Sequence, residues 1–337
     1  MTGIQATERP RVTPSAFLHR FRTRHASWIP VLAALAILIA MLLGAQAYFG
    51  NFITPRVLSA LLLDNAYLIV LAVGMTFVIL TGGIDLSVGA VMAFTGMLGA
   101  SLLRDGIPTA LVIPTMLLVG SAMGLVVGIL VQYFDVQPFI ASLAVMFAAR
   151  GLAFLVNLKS IRVEDPAILW LQSTRLSPGP GSFYLTPTGI IALLAVLVGG
   201  LVLAYTRFGR TIYALGGNEQ SARLMGLPVV RTKVLAYVVS GLCAGLAGVV
   251  YTAYSGAAYP LNGIGTELDT IAAVVIGGAS LSGGVGRIPG TVVGVLIIGV
   301  LRNGLNLLSV SPFVQQIVIG VVIALAVMVD VLRRDES

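Results

Sequence analysis

Charged residues are scarce in this sequence. They make up 10% of its 337 residues, whereas hydrophobic residues make up 58%; a soluble domain has about 25% charged residues. The positive charge is almost all arginine, since Lys159 and Lys233 are the only lysines. The arginines lie between long apolar runs rather than together in one patch. The composition therefore excludes an ordinary soluble protein and gives no sign of a nucleic-acid-binding surface.

The residues that most often build enzyme and metal sites are nearly absent. Cys243 is the only cysteine, so the chain can form neither an intramolecular disulfide nor a thiolate metal cluster. His19 and His25 are the only histidines, and both lie in the polar N-terminal segment. No Gly-Lys pair precedes Ser or Thr, so the loop that cradles nucleotide phosphates is missing. The sequence therefore predicts no catalytic residue, no metal site and no cofactor in this chain.

Apolar runs close to the ~20 residues that span a bilayer follow one another along the chain. The expected spans are 28–48, 60–81, 86–103, 109–131, 138–156, 186–206, 233–255, 268–282, 288–308 and 312–332. The eighth is short and rich in glycine, so it is either a full span or a re-entrant segment. Ala45-Gln46-Ala47 resembles a signal-peptidase site, but the apolar run before it is longer than a signal peptide needs, so we expect an uncleaved first helix. The predicted fold is an all-α membrane protein, a polytopic bundle of about ten transmembrane helices.

The arginines are unevenly distributed between the two sides of this bundle. If the N-terminal segment is cytoplasmic, the cytoplasmic side holds Arg9, Arg11, Arg20, Arg22, Arg24, Arg207, Arg210, Arg223, Arg231, Lys233, Arg287, Arg333 and Arg334. The opposite side holds Arg56, Arg104, Lys159, Arg162 and Arg175. This asymmetry follows the positive-inside rule and predicts that both termini are cytoplasmic, which requires an even number of spans.

The predicted domain organisation is simple. A cytoplasmic tail, 1–27, precedes a single transmembrane domain, 28–332, and a short cytoplasmic tail, 333–337, follows it. Two connections are long enough to have a role of their own: an external one at about 157–185 and a cytoplasmic one at 207–232. The other connections are short, so no separate soluble domain is expected.

Glycine patterns suggest internal symmetry and close helix packing. Gly82-Gly83-x-x-Leu86-Ser87-x-Gly89 recurs as Gly277-Gly278-x-x-Leu281-Ser282-x-Gly284, either as a structural repeat or by chance. Small-residue stripes also occur on two expected spans, at Gly120, Gly124 and Gly128 and at Gly241 and Gly245. Such stripes let helices approach closely, either within one chain or against a partner subunit.

The cytoplasmic connection has the signals of a short helix. Asn218 can cap its start, Glu219 suits its positive end, and Gly226 can end it. Ala222 and Met225 fall on one face of such a helix. A helix of about eight residues, roughly 12 Å long, is marginal alone. It is either a docking element for a partner or a linker helix at the lipid interface.

Four segments, taken in order, resemble one family. They are "TGGIDLSVGA", "GGNEQSARLMGLP", "ELDTIAAVVIGGASLSGGVGRIPGT" and "RNGLNLL". They resemble permeases of the ribose type in ATP-binding-cassette sugar importers, and the likeness covers nearly all of the chain after the N-terminal tail. The second segment resembles the coupling loop of that family. The run "DNAYLIVLAVGMTFVILTGGIDLSVGAVMAFTG" resembles most closely one permease of the galactofuranose importer.

The resemblance implies a function and a set of partners. It implies a membrane-spanning subunit in the bacterial cytoplasmic (inner) membrane that translocates a monosaccharide, galactofuranose or a ribose- or galactose-like sugar, by alternating access. The implied partners are a second, paralogous permease, a cytoplasmic ATPase that uses ATP-Mg, an extracytoplasmic sugar-binding protein and membrane lipid. Coupling to the ATPase then falls on Gly216, Gly217, Asn218, Glu219, Ala222, Arg223, Met225 and Gly226.

Three other interpretations compete with this one. The nearest is a permease of the same superfamily for branched-chain amino acids or nucleosides. A second is an ion-coupled secondary transporter with Asp64 as a proton carrier, although a free-standing carrier needs no docking helix. A third is a membrane-embedded enzyme, which would need a set of catalytic groups in the spans.

Polar groups inside apolar spans are costly and usually face a partner or a cavity. The candidates for the translocation path are Asp64, Asn65, Thr95, Phe147, Arg150, Asn303 and Asn306. Asp64 and Arg150 are the charges most clearly inside spans, and we expect both roughly 6–10 Å below the outer edge. A structural ion pair, a pair lining the path, or two separate groups all fit that shared depth. Asp85, at the start of the third span, is expected to cap its helix or to serve coupling.

Overall fold

The computed structural model describes residues 28–179 and 181–335. Fourteen helices follow in order within these ranges: α1 Ile29–Phe49, α2 Pro55–Asp64, α3 Ala66–Leu80, α4 Val88–Arg104, α5 Thr109–Tyr133, α6 Pro138–Val156, α7 Pro166–Ser173, α8 Pro187–Tyr205, α9 Arg207–Gly217, α10 Glu219–Leu224, α11 Val229–Ser255, α12 Thr266–Ile276, α13 Ile288–Leu307 and α14 Pro312–Asp335. Two short strands, β1 Ile161–Arg162 and β2 Ala257–Ala258, pair antiparallel. The predicted 1–27 tail lies outside the described residues.

Helix starts are marked by proline and by side-chain caps. Prolines at the first or second helical position begin α1, α2, α6, α7, α8 and α13. Proline suits this place because its missing N–H would have no partner there. Thr54, Asp165 and Thr186 accept hydrogen bonds from the first-turn N–H groups of α2, α7 and α8.

The bundle is built around α11. This helix packs along α3, α4 and α5, and small residues make the closest contact. A Cβ on Gly120 of α5 would lie 2.9 Å from the Gly245 Cα of α11, and one on Gly124 would overlap the Tyr237 carbonyl. The glycine stripes therefore serve packing within this chain, and their use in a contact between two subunits was the wrong alternative.

The expected all-α polytopic architecture is confirmed, and most predicted spans have a matching helix. Within the described ranges, six helices are long and apolar enough to cross a bilayer: α1, α5, α6, α8, α11 and α13. Helices α2 and α3 form a seventh candidate span that bends by 53° at Asn65. Helix α4, with 17 residues, and the apolar start of α14 are shorter. The eighth predicted span differs most, because α12 has only 11 residues, about 16 Å or half of the ~30 Å hydrocarbon core.

The segment before α12 folds back into the bundle. A Cβ on Gly263 would lie 2.9 Å from the Gly89 carbonyl oxygen, and the Met92 side chain packs on the same glycine. Met92 also borders Gly248 of α11, seven residues before the helix ends at Ser255. At 1.5 Å per residue, Gly263 is therefore about 10 Å below the outer end of α11. After α12 the chain reaches Leu80, at the opposite end of the bundle from Ser255. The stretch therefore crosses the bundle as a short irregular segment followed by the half-length helix α12, and the re-entrant alternative is wrong.

The two copies of the glycine motif form matching turns that touch each other. After α3, Gly82 N donates to Ile79 O and Gly83 N donates to Val78 O. After α12, Gly278 and Ala279 make the same pair of bonds to Val275 and Val274. The structural match is thus shifted by one residue from the sequence match. The turns are joined directly, since Gly284 N donates to Leu80 O over 3.0 Å.

Candidate functional site

The predicted cytoplasmic connection folds into two helices that rest on the bundle. Thr206 caps α9, whose Ile212 and Leu215 are buried. Asn218 then caps α10 by accepting from Ser221 N over 2.7 Å, as the sequence predicted. Helix α10 has six residues instead of about eight, and Gly226, at φ 73°, closes the turn that follows it.

Charged groups fix α10 against the start of α11. The Glu219 carboxylate accepts a hydrogen bond from Arg223 over 2.7 Å and another from Lys233, which lies in the second turn of α11. Partial burial raises the pKa of this carboxyl, but the hydrogen bonds from Lys233 and Arg223 outweigh it and leave the pKa below its usual range. An ion pair near the surface contributes only up to about 1 kcal/mol, so its main effect is on the orientation of α10.

The small residue in α10 faces the chain itself. Ala222 is fully buried against Leu215, Leu227 and Val229. The prediction that Ala222 and Met225 share one face is therefore wrong. Packing of α10 on α9 and α11 determines which side of α10 is buried. Met225 is 67% exposed. The sequence analysis missed Leu224, which is 83% exposed, although a leucine at the end of a cytoplasmic helix was a visible signal.

Helix α9 is tied directly to the two glycine turns. The Tyr213 hydroxyl donates to Gly286 O over 2.9 Å. A Cβ on Gly216 would overlap Leu80 O and the Gly284 backbone, so only glycine fits there. Helix α9 thus contacts both the end of α3 and the segment between α12 and α13. Gly217, in contrast, has open space where a Cβ would lie, with no heavy atom within 4 Å.

On the outer side, Asp64 and Arg150 are not partners. Asp64 accepts a hydrogen bond from the Tyr254 hydroxyl over 3.3 Å. Arg150 donates to the carbonyls of Pro260 and Asn262 over 2.6 and 2.7 Å. The expected ion pair between them is wrong, because Arg150 instead holds the backbone of the segment that precedes α12.

This arrangement makes Arg150 a stabilising anchor. We expect Arg150→Gln to lower the free energy of unfolding by about 2 kcal/mol, since hydrogen bonds to a charged group contribute ~1.5–3 kcal/mol and this one is half-buried. Asp64→Asn should change it little. Thermal unfolding of the purified full chain measures both. Arg104→Gln, at an exposed arginine that contacts Ser101, is the control, and an equal loss in the control would contradict the anchor.

The other path candidates are dispersed. Asn65 is buried at the α2–α3 bend and donates to Leu61 O over 2.8 Å. Thr95 is fully buried and bonds within its own helix. Phe147 is 66% exposed on α6. Asn306 accepts from Gln315 of α14 over 2.7 Å, and Asn303 is half-buried on α13.

A polar and aromatic cluster lies where the outer parts of α3, α11, α12 and α13 meet. Arg302 of α13 forms an ion pair with Asp269 of α12. The Tyr67 ring packs edge-on against Tyr251 at 4.9 Å between centroids, and Tyr254 lies beside both. The path candidates drawn from the sequence included neither Arg302 nor Asp269. The signal for Asp269 was an acidic residue in the first turn of an otherwise apolar helix.

Two further acidic groups are held inside the chain. Both Asp85 oxygens accept hydrogen bonds, one from Ser87 N and Oγ and the other from Ser240 Oγ over 2.7 Å. Asp85 therefore binds Ser87, the residue just before α4, and ties it to α11. The expectation that Asp85 caps α4 is wrong, because the N-cap residue of that helix is Ser87. Glu267, in the first turn of α12, accepts from Gly265 N over 3.2 Å. Its other carboxylate oxygen is buried without a hydrogen-bond partner among the described residues.

No group of three or more potential metal ligands occurs within residues 28–179 and 181–335. The architecture therefore combines a helical membrane bundle, a cytoplasmic helix fixed to it, and a half-length helix inside it with charged residues at its start. These features define a polytopic membrane protein, and a half-length helix of this kind is common in transporters.

Comparison with known proteins agrees with that class. Residues 57–327 match the family model "branched-chain amino acid transport system / permease component", and the chain belongs to this family. It is 44% identical to the fructose import permease protein of Bifidobacterium longum, with 90% of each chain covered. It is 42% identical to an inner membrane ABC transporter permease protein of Escherichia coli K12, covering 88% of this chain and 89% of the relative.

A third relative is the ribose import permease protein of the same strain. It is 41% identical, over 90% of this chain and 94% of the relative. No solved structure matches the chain. Membership of this family places the protein in the bacterial inner membrane as a multi-pass permease whose ATPase and substrate-binding functions belong to partner subunits.

Proposed function

We propose that this chain is the permease of an ATP-driven importer that carries a monosaccharide into the cell. The sequence resemblance names galactofuranose as the sugar, and the names of the relatives, which include fructose and ribose, support a sugar as the cargo. The energy comes from a separate ATPase that binds ATP-Mg, and an extracytoplasmic protein delivers the sugar.

The observation that carries the proposal is the orientation of α10. Ala222 lies on its buried face, which packs against the chain itself. Leu224 and Met225 project from the chain on the expected cytoplasmic side. Apolar side chains in water favour a protein partner, since burying each contributes ~1.5–3 kcal/mol. We assign the ATPase contact to Leu224, Met225 and Arg223. The residues that position them are Gly216, Gly217, Asn218, Glu219, Ala222 and Gly226.

The sugar path is assigned to the surroundings of α12. Many transporters place their substrate beside broken helices near the bilayer midplane. Helix α12 begins about 10 Å below the outer end of α11, with Glu267 and Asp269 in its first turn. Tyr67 and Tyr254 offer aromatic faces, and the charged groups offer hydrogen bonds to sugar hydroxyls. The earlier candidates Asp64, Arg150 and Asn303 border this region. Asn65 and Thr95 are buried in the bundle and support the region without facing it.

The links to the cytoplasmic side support alternating access as the mechanism. When ATP binding draws the ATPase subunits together, α10 and α9 move with them. The Tyr213–Gly286 bond and the Gly216 contact pass that movement to both glycine turns and hence to α3, α12 and α13. A second permease, a paralogue of this chain, completes the path on its other side.

The rival interpretations lack comparable support. An amino-acid or nucleoside cargo shares the same architecture and differs only in the path residues. A proton-coupled carrier would use Asp64, which is bonded to Tyr254, and would leave the outward apolar pair of α10 without a role.

Transport and hydrolysis assays test the proposal together. The purified chain alone is expected to hydrolyse no ATP, because it lacks a phosphate-binding loop. With its partner ATPase, second permease and binding protein present, liposomes should take up labelled galactofuranose, ribose or fructose only when ATP is present. Uptake of amino acids or nucleosides but no sugar would overturn the cargo assignment. Uptake driven by a proton gradient without ATP would overturn the class of energy source.

A further inference from the structure

A large cavity opens at the surface of the bundle beside α8, away from the residues assigned to the sugar path. Its volume is about 790 Å³, and its walls come from α8, α9 and the beginning of α13. This volume falls within the ~300–1,000 Å³ that is usual for small-molecule sites. The apolar wall consists of α8 residues from Val196 to Leu201, and the opposite end holds Arg210 and Arg287.

The cavity has the length of one membrane leaflet. Val196 lies nine residues before the end of α8 at Tyr205, about 13 Å along the helix axis. The hydrocarbon core is ~30 Å thick, so the cavity extends from the membrane surface to near the midplane. The arginine distribution predicts that this surface is the cytoplasmic one.

Charge and aromatic groups are concentrated at the surface end. The Arg287 guanidinium lies 4.4 Å above the ring of Trp28, and Arg210 donates one hydrogen bond to Tyr205 O over 3.3 Å. A guanidinium has five donors in a fork that fits phosphate oxygens. No acidic side chain is among the described residues that line the cavity. Trp28 and Tyr205 have the polar-tipped aromatic rings typical of membrane interfaces.

We propose that this cavity binds an anionic phospholipid of the cytoplasmic leaflet. Arg210 and Arg287 hold the phosphate, the aromatic residues border the glycerol region, and an acyl chain lies along Val196, Leu197 and Leu201. The last two side chains are exposed on α8, so a lipid covers apolar surface there. Because Arg210 belongs to α9 and Arg287 precedes α13, a bound lipid bridges the cytoplasmic helix and the transmembrane bundle.

Trp28 provides a local probe for the test. The chain has only two tryptophans, and Trp170 lies in α7 on the predicted outer side. In a Trp170→Phe background, the full chain is placed in vesicles of phosphatidylcholine containing phosphatidylglycerol. Either the phosphatidylcholine or the phosphatidylglycerol carries bromine on its acyl chains, which quenches nearby tryptophan. We expect brominated phosphatidylglycerol to quench Trp28 more than its share of the membrane predicts.

Variants separate this site from general attraction to the membrane. Loss of a hydrogen bond from an arginine to a phosphate weakens binding about tenfold, so Arg210→Gln should reduce the preference by about that factor. Arg207→Gln removes the same charge from the same helix but does not line this cavity, and it should keep the preference. Equal effects of the two variants, or equal quenching by both lipids, would overturn the proposal.

Soluble glycerol phosphate distinguishes a lipid from a free anion. If it abolishes the preference, the arginines bind a free phosphate group and the lipid assignment is wrong. If the preference persists, the acyl chain contributes to binding. The Trp28→Phe chain, which keeps Trp170, should show no preference for either brominated lipid, and a preference there would show that the signal does not come from the cavity.

Discussion

Leu224→Ala is expected to reduce binding-protein-stimulated ATP hydrolysis by the assembled transporter about tenfold or more. Leu224 is the most exposed apolar side chain of α10, and an apolar contact of this size contributes roughly 1.5–3 kcal/mol when buried. Every 1.4 kcal/mol changes an equilibrium constant about tenfold. The change removes no contact within the chain's own core, so insertion and folding should be unaffected. The measurement is ATPase rate against binding-protein concentration in the reconstituted complex.

A matched control lies on the opposite side of the membrane. Leu158 is 73% exposed in the external connection, and Leu158→Ala makes the same chemical change there. It should leave the stimulated rate at the wild-type value. If Leu224→Ala behaves like the control in a fully assembled complex, α10 is a linker and the ATPase docks elsewhere.

The location of α10 could be predicted from the sequence, but not the side on which it docks. Asn218 and Gly226 mark the ends of a short helix through local backbone chemistry. Six residues make less than two turns, so they carry no hydrophobic periodicity that reveals a buried face. That face is set by Leu215 and Val229, which come from other helices. For this reason Ala222→Trp would test packing inside the chain rather than docking.

The outer region illustrates a second limit. Depth below the membrane surface can be estimated from the number of residues along a helix. This estimate placed Asp64 and Arg150 at a similar depth. Depth alone does not give the direction in which a side chain points or which backbone groups need a partner. The segment that precedes α12 places two carbonyls beside Arg150, and buried carbonyls away from water need such donors. The glycine-rich eighth span signalled this segment, but its partner could not be inferred from spacing.

Removing one charge of the Asp269–Arg302 pair is expected to destabilise the protein strongly. Loss of one partner costs ~3–5 kcal/mol for a truly buried pair. The side chains here are 10% and 32% exposed, so we expect about 2 kcal/mol for Asp269→Asn and a similar loss for Arg302→Gln. Thermal unfolding of the purified chain measures both. Glu164→Gln, at the exposed Arg162–Glu164 pair, is the control and should change little.

The double variant Asp269→Asn with Arg302→Gln separates a structural role from a role in the path. It contains no unpaired buried charge, so most of the lost stability should return. If the pair only holds α12 to α13, uptake of the labelled sugar should return with stability. We expect instead that uptake stays at least about tenfold below wild type, because the pair stands beside Tyr67 and the start of the half-length helix, where sugar hydroxyls need charged partners. A stable double variant with normal uptake would remove Asp269 and Arg302 from the path and leave them as a structural ion pair.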